Sequence, residues 1–110
     1  MVCDHTTQNA SVGNRKGVEC LELVEGRVVV YMLECGDGSY YVGCSENLLR
    51  RMEDHRAGRA ALWTAKRLPV RLVYYEIHKI LLCARRRERQ IKGWSRIKKE
   101  KLMDGTWKLE

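Results

Sequence analysis

The amino-acid sequence predicts an α+β domain: a small antiparallel three-stranded sheet flanked by helices, in the order β-β-α-β-α-α. Three observations carry this. A β-branched and aromatic run, Arg27 to Leu33, is followed by Gly36-Asp37-Gly38 and a second aromatic run, Ser39 to Val42. Asp-Gly tolerates positive φ, so this is the chemistry of a tight hairpin, and a tight hairpin makes its two strands antiparallel. A third extended run, Val70 to Ile77 (VRLVYYEI), stands after Pro69, with helical spacing on either side of it. Helices kept to one side of a small sheet define the α+β class.

Each element follows in turn. Residues 1–26 are polar and weakly patterned. Thr6 to Asn9 and Ser11 to Gly17 read as a flexible amino-terminal extension. Val18 to Val24 suits a short strand or a helical turn equally. The first strand begins at Arg27, and Gly43 is expected to end the second. Ser45 is the expected cap of a helix over about residues 46–58, with Gly58 as its stop. Leu48 and Met52 share that helix's apolar face, and Arg51 and His55 lie one turn apart beside it. Residues 59–68 read as a loop closed by Pro69. A second helix covers residues 79 to about 93, and Ser95 caps a last short helix to about Leu102. The folded domain is therefore expected over 27–103, with 104–110 as a carboxy-terminal tail.

With 110 residues and 45% apolar side chains, the chain can build one modest core. Phenylalanine is absent, so that core is expected to rest on Leu, Val, Ile and Met, with Tyr and Trp at its margins. No apolar run is long enough to span a bilayer. Met1-Val2-Cys3-Asp4-His5 lacks a secretory start, so a cytoplasmic protein without a membrane partner is expected. The five cysteines, at positions 3, 20, 35, 44 and 83, are odd in number and form no CxxC pair. This argues for idle thiols over a disulfide framework or a zinc site, and Cys3 with His5 supplies only two ligands.

The net charge is +7 and the pI about 9.4. Arg85, Arg86, Arg87, Arg89, Lys92, Arg96, Lys98, Lys99 and Lys101 are opposed in their own stretch only by Glu88 and Glu100. Such a stripe is the footprint of a nucleic-acid binder. On charge alone, a solvated helix face or contact with an anionic membrane explains it equally well.

Three sets of residues carry chemistry. Glu88 shares a helical face with Leu81, Ala84 and Ile91, so its carboxylate needs a partner or a metal. On spacing alone, a salt bridge to a neighbouring arginine is the favoured partner. Tyr31 and Tyr41 lie on strands either side of the hairpin turn, where an ordinary cross-strand pair accounts for them as well as a site does. Arg51 can hold a phosphate oxygen and His55 can relay a proton near neutral pH. Taken singly, each of these is as well explained by an ordinary surface helix.

Together the motifs resemble the GIY-YIG nuclease family. Val29-Val30-Tyr31 stands where the family has Gly-Ile-Tyr, and Tyr41-Val42-Gly43 where it has Tyr-Ile-Gly. Arg51 lies eight residues after Gly43 and His55 four after Arg51, at the family's spacing. Glu88 falls where the family carries its metal-binding glutamate. The similarity spans about residues 27–102. It is greatest to small stand-alone bacterial proteins with a CGDGSYYVG-like hairpin, and it extends to the amino-terminal domain of the UvrC repair nuclease. Two departures stand out: Val29 and Val30 replace Gly and Ile, and Lys92, Trp94 and Ser95 occupy a region where many members have an asparagine.

The resemblance implies a metal-dependent DNA endonuclease, structure-selective and linked to repair or recombination, with Tyr31, Tyr41, Arg51, His55 and Glu88 as its site. A non-cleaving nucleic-acid-binding module of the same fold is the alternative. Glu88 would hold magnesium or manganese, and Arg51 would clamp the scissile phosphate. Tyr31 is the candidate general base, helped by nearby cations that favour its phenolate, although the choice between the two tyrosines stays open. His55 would accept or orient the phenol's proton, and Tyr41 would hold the water or a phosphate oxygen. Arg85, Arg86, Arg89, Lys92, Arg96, Lys98 and Lys99 would grip the backbone of DNA, branched or single-stranded. A protein partner would supply any further specificity, and no small-molecule substrate is implied.

Overall fold

The computed structural model describes residues 8–11 and 27–105. Four strands form one antiparallel sheet: β1 (Gln8–Ser11), β2 (Val28–Glu34), β3 (Tyr40–Ser45) and β4 (Arg71–His78), in the spatial order β1-β4-β2-β3. The three expected strands are present. Gln8–Ser11, expected to be tail, adds a fourth strand paired with β4 from Gln8↔Ile77 to Ser11↔Tyr74. The free edge of β4 offers a row of unpaired backbone groups, and a short strand satisfies them without needing a pattern of its own. Val18 to Val24 lies outside the described residues.

The helices are α1 (Leu48–Arg56), α2 (Leu62–Ala65), α3 (Leu81–Lys92) and α4 (Arg96–Asp104). The helix expected from residue 46 starts at Leu48, because Asn47 is the cap: its side-chain oxygen accepts from the Arg50 N–H at 3.1 Å. Ser45 sits two residues back and accepts from the Asn47 N–H at 2.9 Å. Gly58 (φ +78°) does stop α1, and Ser95 does cap α4, accepting from the Lys98 N–H at 3.2 Å. α4 runs on to Asp104, where Gly105 closes it at φ +77°. The expected loop at residues 59–68 contains the single turn of α2, too short to show a helical period. β3 does not end at Gly43 but continues to Ser45.

The sheet is covered on both faces, which is why the inner strands β2 and β4 are buried along most of their length. On one face Val29, Tyr31, Leu33, Tyr75 and Ile77 pack with Leu48 and Met52 of α1. On the other, Val30, Met32, Val42, Val73 and Tyr74 pack with Ala84 and Ile91 of α3 and Leu102 of α4. Tyr31, Tyr74 and Tyr75 are thus inside the core and not at its margin, filling the volume that phenylalanine would otherwise take. Cys35 and Cys44 are free thiols, whereas Cys83 is disulfide-bonded, which corrects the expectation of idle thiols at that position. Among the described residues no helix is long and apolar enough to cross a membrane.

Candidate active site

The β2–β3 register sets the two tyrosines. Tyr31 lies opposite Gly43, and Leu33 opposite Tyr41. Tyr31 and Tyr41 are therefore diagonal neighbours on one face, with ring centres 6.4 Å apart. His55, in the last turn of α1, meets both rings edge-on, at 5.7 Å and 5.2 Å. Its Nε2 lies 2.8 Å from the Tyr31 hydroxyl, and its Nδ1 lies 3.0 Å from Oγ1 of Thr64 on α2. Tyr31 is 1% exposed, and His55 and Thr64 are fully buried. Trp63, also on α2, stacks on Tyr41 at 6.2 Å.

Burial sets the charge states here. It drives the His55 imidazole down to about 4, assisted by the Arg51 charge and opposed by Asp54. His55 is therefore neutral at pH 7. Burial also drives the Tyr31 phenol far above its ordinary range; Tyr41 and Glu88 add to this, and Arg51 opposes it. The expected stabilisation of the phenolate by neighbouring cations is real in sign, but desolvation outweighs it.

Arg51 and Glu88 come together differently. β3 is an edge strand of the sheet, with α1 on one face and α3 on the other. Between them opens a cleft of about 570 Å³ lined by Cys44, Ser45, Glu46, Asn47, Arg51, Leu81, Arg85 and Glu88. Glu88 does not face the apolar core as its helical spacing suggested. It is 21% exposed, and it pairs with Lys92 one turn on, at 2.9 Å, and not with an arginine. The structure therefore joins the five candidate residues as two adjoining groups: Tyr31, Tyr41 and His55 in ring contact, and Arg51 with Glu88 across the cleft. Tyr31 feels the charges of both cleft residues.

The donor set bears on a metal. Among the described residues no three His, Cys, Asp or Glu groups converge. Magnesium takes few carboxylates and keeps waters and substrate phosphate as its other ligands, so one cleft-facing glutamate suits it. Manganese accepts the same oxygen ligands.

Among the described residues the basic stripe divides into exposed and engaged charges. Arg85, Arg86 and Arg89 are exposed on α3, with Arg85 at the cleft. Lys92 is taken by Glu88. Arg96 pairs with Glu100 at 3.1 Å, donates to the Gly38 carbonyl at 2.7 Å and lies over the Tyr40 ring. Lys98 lies over the Trp94 ring at 4.3 Å, and Lys99 is partly desolvated, which lowers its pKa.

Arg87 points the other way. With a side chain 15% exposed, it reaches the fully buried Glu76 of β4 through Nε (2.9 and 3.0 Å) and Nη2 (2.8 Å). Tyr74 donates to the same carboxylate at 2.7 Å, and His78 Nε2 lies 3.1 Å from it. The sequence reading missed both this network and Thr64. Its signal was the alternation of Tyr74, Glu76 and His78 in an otherwise apolar strand, which puts three polar side chains on one buried face.

The arrangement sets paired tyrosines over a buried histidine, beside a cleft lined by an arginine and a glutamate. The model of the GIY-YIG catalytic domain matches residues 27–101, and the chain belongs to the GIY-YIG family. This is a nuclease-type domain. The chain is 40% identical over 75 residues to a UPF0213 protein of Haloquadratum walsbyi, covering 68% of this chain and 84% of that one. It is 41% identical over 73 residues to a UPF0213 protein of Bacillus cereus, covering 66% and 76%. The solution structure of a UPF0213 protein from Bacillus halodurans is 40% identical, covers 71% of this chain and 83% of that one, and superposes with a TM-score of 0.48.

Proposed function

We propose that the protein is a divalent-metal-dependent endonuclease that hydrolyses DNA phosphodiester bonds and selects its substrate by shape. The observation that carries this is the buried Tyr31–His55 hydrogen bond set beside a cleft that holds Arg51 and Glu88. Hydrolysis of a phosphodiester needs a deprotonated water, offset of charge at phosphorus and help for the leaving oxygen. A divalent cation held by Glu88 would offset charge on the phosphate and on the departing 3′ oxygen.

The protein's own residues supply the rest. Arg51 holds a non-bridging phosphate oxygen with its planar fork. Tyr31 is protonated at rest, and forming its free phenolate at pH 7 costs upwards of roughly 4 kcal/mol even at the ordinary phenol value. The neutral His55 is the better proton acceptor, so Tyr31 takes a proton from water as it passes its own to His55 Nε2. Tyr41 orients the water or a phosphate oxygen. Arg85, Arg86 and Arg89 hold the flanking backbone, which gives affinity without sequence preference. This favours recognition of branched or single-stranded DNA, in repair or recombination.

The test is cleavage of a panel of branched, flapped and single-stranded DNA, in magnesium and in chelator. Wild type should cut only in magnesium, and Glu88→Ala and Arg51→Ala should not. Equal trace activity in wild type and Glu88→Ala would mark contamination and defeat the enzyme reading. DNA binding without cutting would leave a binding module of the same fold.

A further inference from the structure

We infer that Thr64 is a positioning residue that fixes the tautomer of His55 and so the direction in which the Tyr31 proton moves. The inference rests on the nuclease reading for its consequence but not for its geometry. The Thr64 hydroxyl carries one proton, and it donates that proton to the Ala61 carbonyl at 3.1 Å, an atom that can only accept. Toward His55 it presents a lone pair, so Nδ1, 3.0 Å away, must carry the hydrogen. A neutral imidazole has one such hydrogen. Nε2 is therefore bare, and it accepts from the Tyr31 hydroxyl at 2.8 Å. The chain of donors runs one way: Tyr31 to His55 to Thr64 to the backbone.

The fold fastens the turn that carries Thr64 through Arg67. α2 is tied to the β2–β3 hairpin by the Gly36 N–H bonded to the Arg67 carbonyl at 2.7 Å, and by Arg67 paired with Asp37 at 3.2 Å. Arg67 also donates to the Trp63 carbonyl at 2.9 Å and lies over the Trp63 ring. Thr64 is thus delivered to His55 by a fastened turn and cannot rotate to solvent. The titratable or charged groups facing His55 are Tyr31 from β2, Tyr41 from β3, and Arg51 and Asp54 from its own helix; α2 contributes only the uncharged Thr64.

The proton balance follows. The water oxygen bonds to phosphorus, and the bond from phosphorus to the 3′ oxygen breaks, its electron pair leaving on that oxygen. One water proton passes to Tyr31 Oη as the original Tyr31 proton passes to His55 Nε2. Tyr31 ends as a phenol and His55 as an imidazolium, its Nδ1–H still on Thr64; the extra proton returns from Nε2 through the Tyr31 hydroxyl to water at the site, and the 3′ oxygen takes one proton from that water to leave as a hydroxyl. With the hydrogen on Nε2 instead, Tyr31 would face a donor, and this transfer could not start.

The test is ¹⁵N-histidine NMR of the full chain at pH 7, with the His55 signals assigned by their loss in His55→Gln. Wild type should show a protonated Nδ1 and a bare Nε2. Thr64→Ser should keep that pattern, and Thr64→Val should lose it. Kinetics run alongside: Thr64→Val should lower kcat up to roughly 100-fold, the lower end of what general acid–base help supplies. KM should stay near wild type, and Thr64→Ser should restore the rate. If Thr64→Val does not fold, the wild-type and Thr64→Ser spectra still decide. A wild-type His55 protonated at Nε2, or a Thr64→Val protein with the wild-type tautomer, overturns the inference. The expected tautomers without cleavage by wild type defeat the nuclease reading alone and leave the tautomer assignment standing.

Discussion

Gly43 stands opposite Tyr31 in the β2–β3 ladder, and a β-carbon on it would lie 2.5 Å from both Cζ and Oη of the tyrosine. The tyrosine ring crosses the strand at the one place where no side chain obstructs it. It cannot yield, because it is buried and its hydroxyl is held by His55. Gly43→Ala should therefore destabilise the domain by about 1–3 kcal/mol, the usual cost of overpacking, and abolish cleavage. Thermal unfolding and the cleavage assay check this. A variant with wild-type melting and wild-type activity would show that Tyr31 is not confined there.

His55 makes stability depend on pH. Its folded value, about 4, lies below the ordinary 6.5 of the unfolded chain, so between them the unfolded state binds more protons. Stability from this group is complete above pH 6.5 and falls as pH drops toward about 4. The loss is on the order of 3 kcal/mol at the acid end. Carboxylates titrate in the same range, so the measurement is the difference between wild type and His55→Gln in urea unfolding at pH 7 and pH 4.5. The gap between the two proteins should shrink or reverse at the lower pH. A constant gap would contradict the burial argument.

Much of the site was legible because its spacing is local. Tyr31, Tyr41 and Gly43 share one hairpin, and Arg51 and His55 share one helix, so a short stretch of sequence fixes their relative places. What was hidden depends on contacts between distant elements. Thr64 lies on a single helical turn with no period, and its role appears only when α2 docks against α1. Glu76 and Arg87 are eleven residues apart on different elements, and nothing in a basic run marks the one arginine that turns inward. Glu88 was marked by its helical face as well as by resemblance; it does have a partner, Lys92, but it turns to the cleft while Ala84 and Ile91 of that face pack inward. Strand β1 escaped notice because an edge strand needs only backbone to pair.

The division of the basic stripe separates binding from stability. Arg86 and Arg89 are exposed on α3, whereas Arg96 is engaged with Glu100, Gly38 and Tyr40. Each phosphate contact adds about 0.9 to the slope of log affinity against log salt. Arg86→Ala with Arg89→Ala should therefore weaken DNA binding and flatten that slope by up to about 2. Arg96→Ala should change the slope less and lower the melting temperature more. Fluorescence anisotropy across a salt series checks the first claim. An unchanged slope in the double variant would move the binding face elsewhere.

The Glu76–Arg87 pair holds the helix that carries Glu88. Arg87 is anchored inward on β4, and Glu88, next in sequence, is turned about 100° round the helix and so faces the cleft. Burial opposes the Glu76 carboxylate, but His78, Arg87 and Tyr74 together hold its pKa below the ordinary value. Its contribution is thus present at neutral pH and lost as pH falls through the carboxylate range. Removing one partner leaves a buried charge uncompensated, which costs about 3–5 kcal/mol, whereas replacing both with apolar residues of similar volume is often nearly neutral. Arg87→Met should therefore lower the melting temperature by more than roughly 10 °C, and Glu76→Leu with Arg87→Met should recover much of the loss. Calorimetry of the two single variants and the double variant gives the coupling directly. Additive losses would show that the two side chains contribute independently and that the pair does not set the rotation of α3.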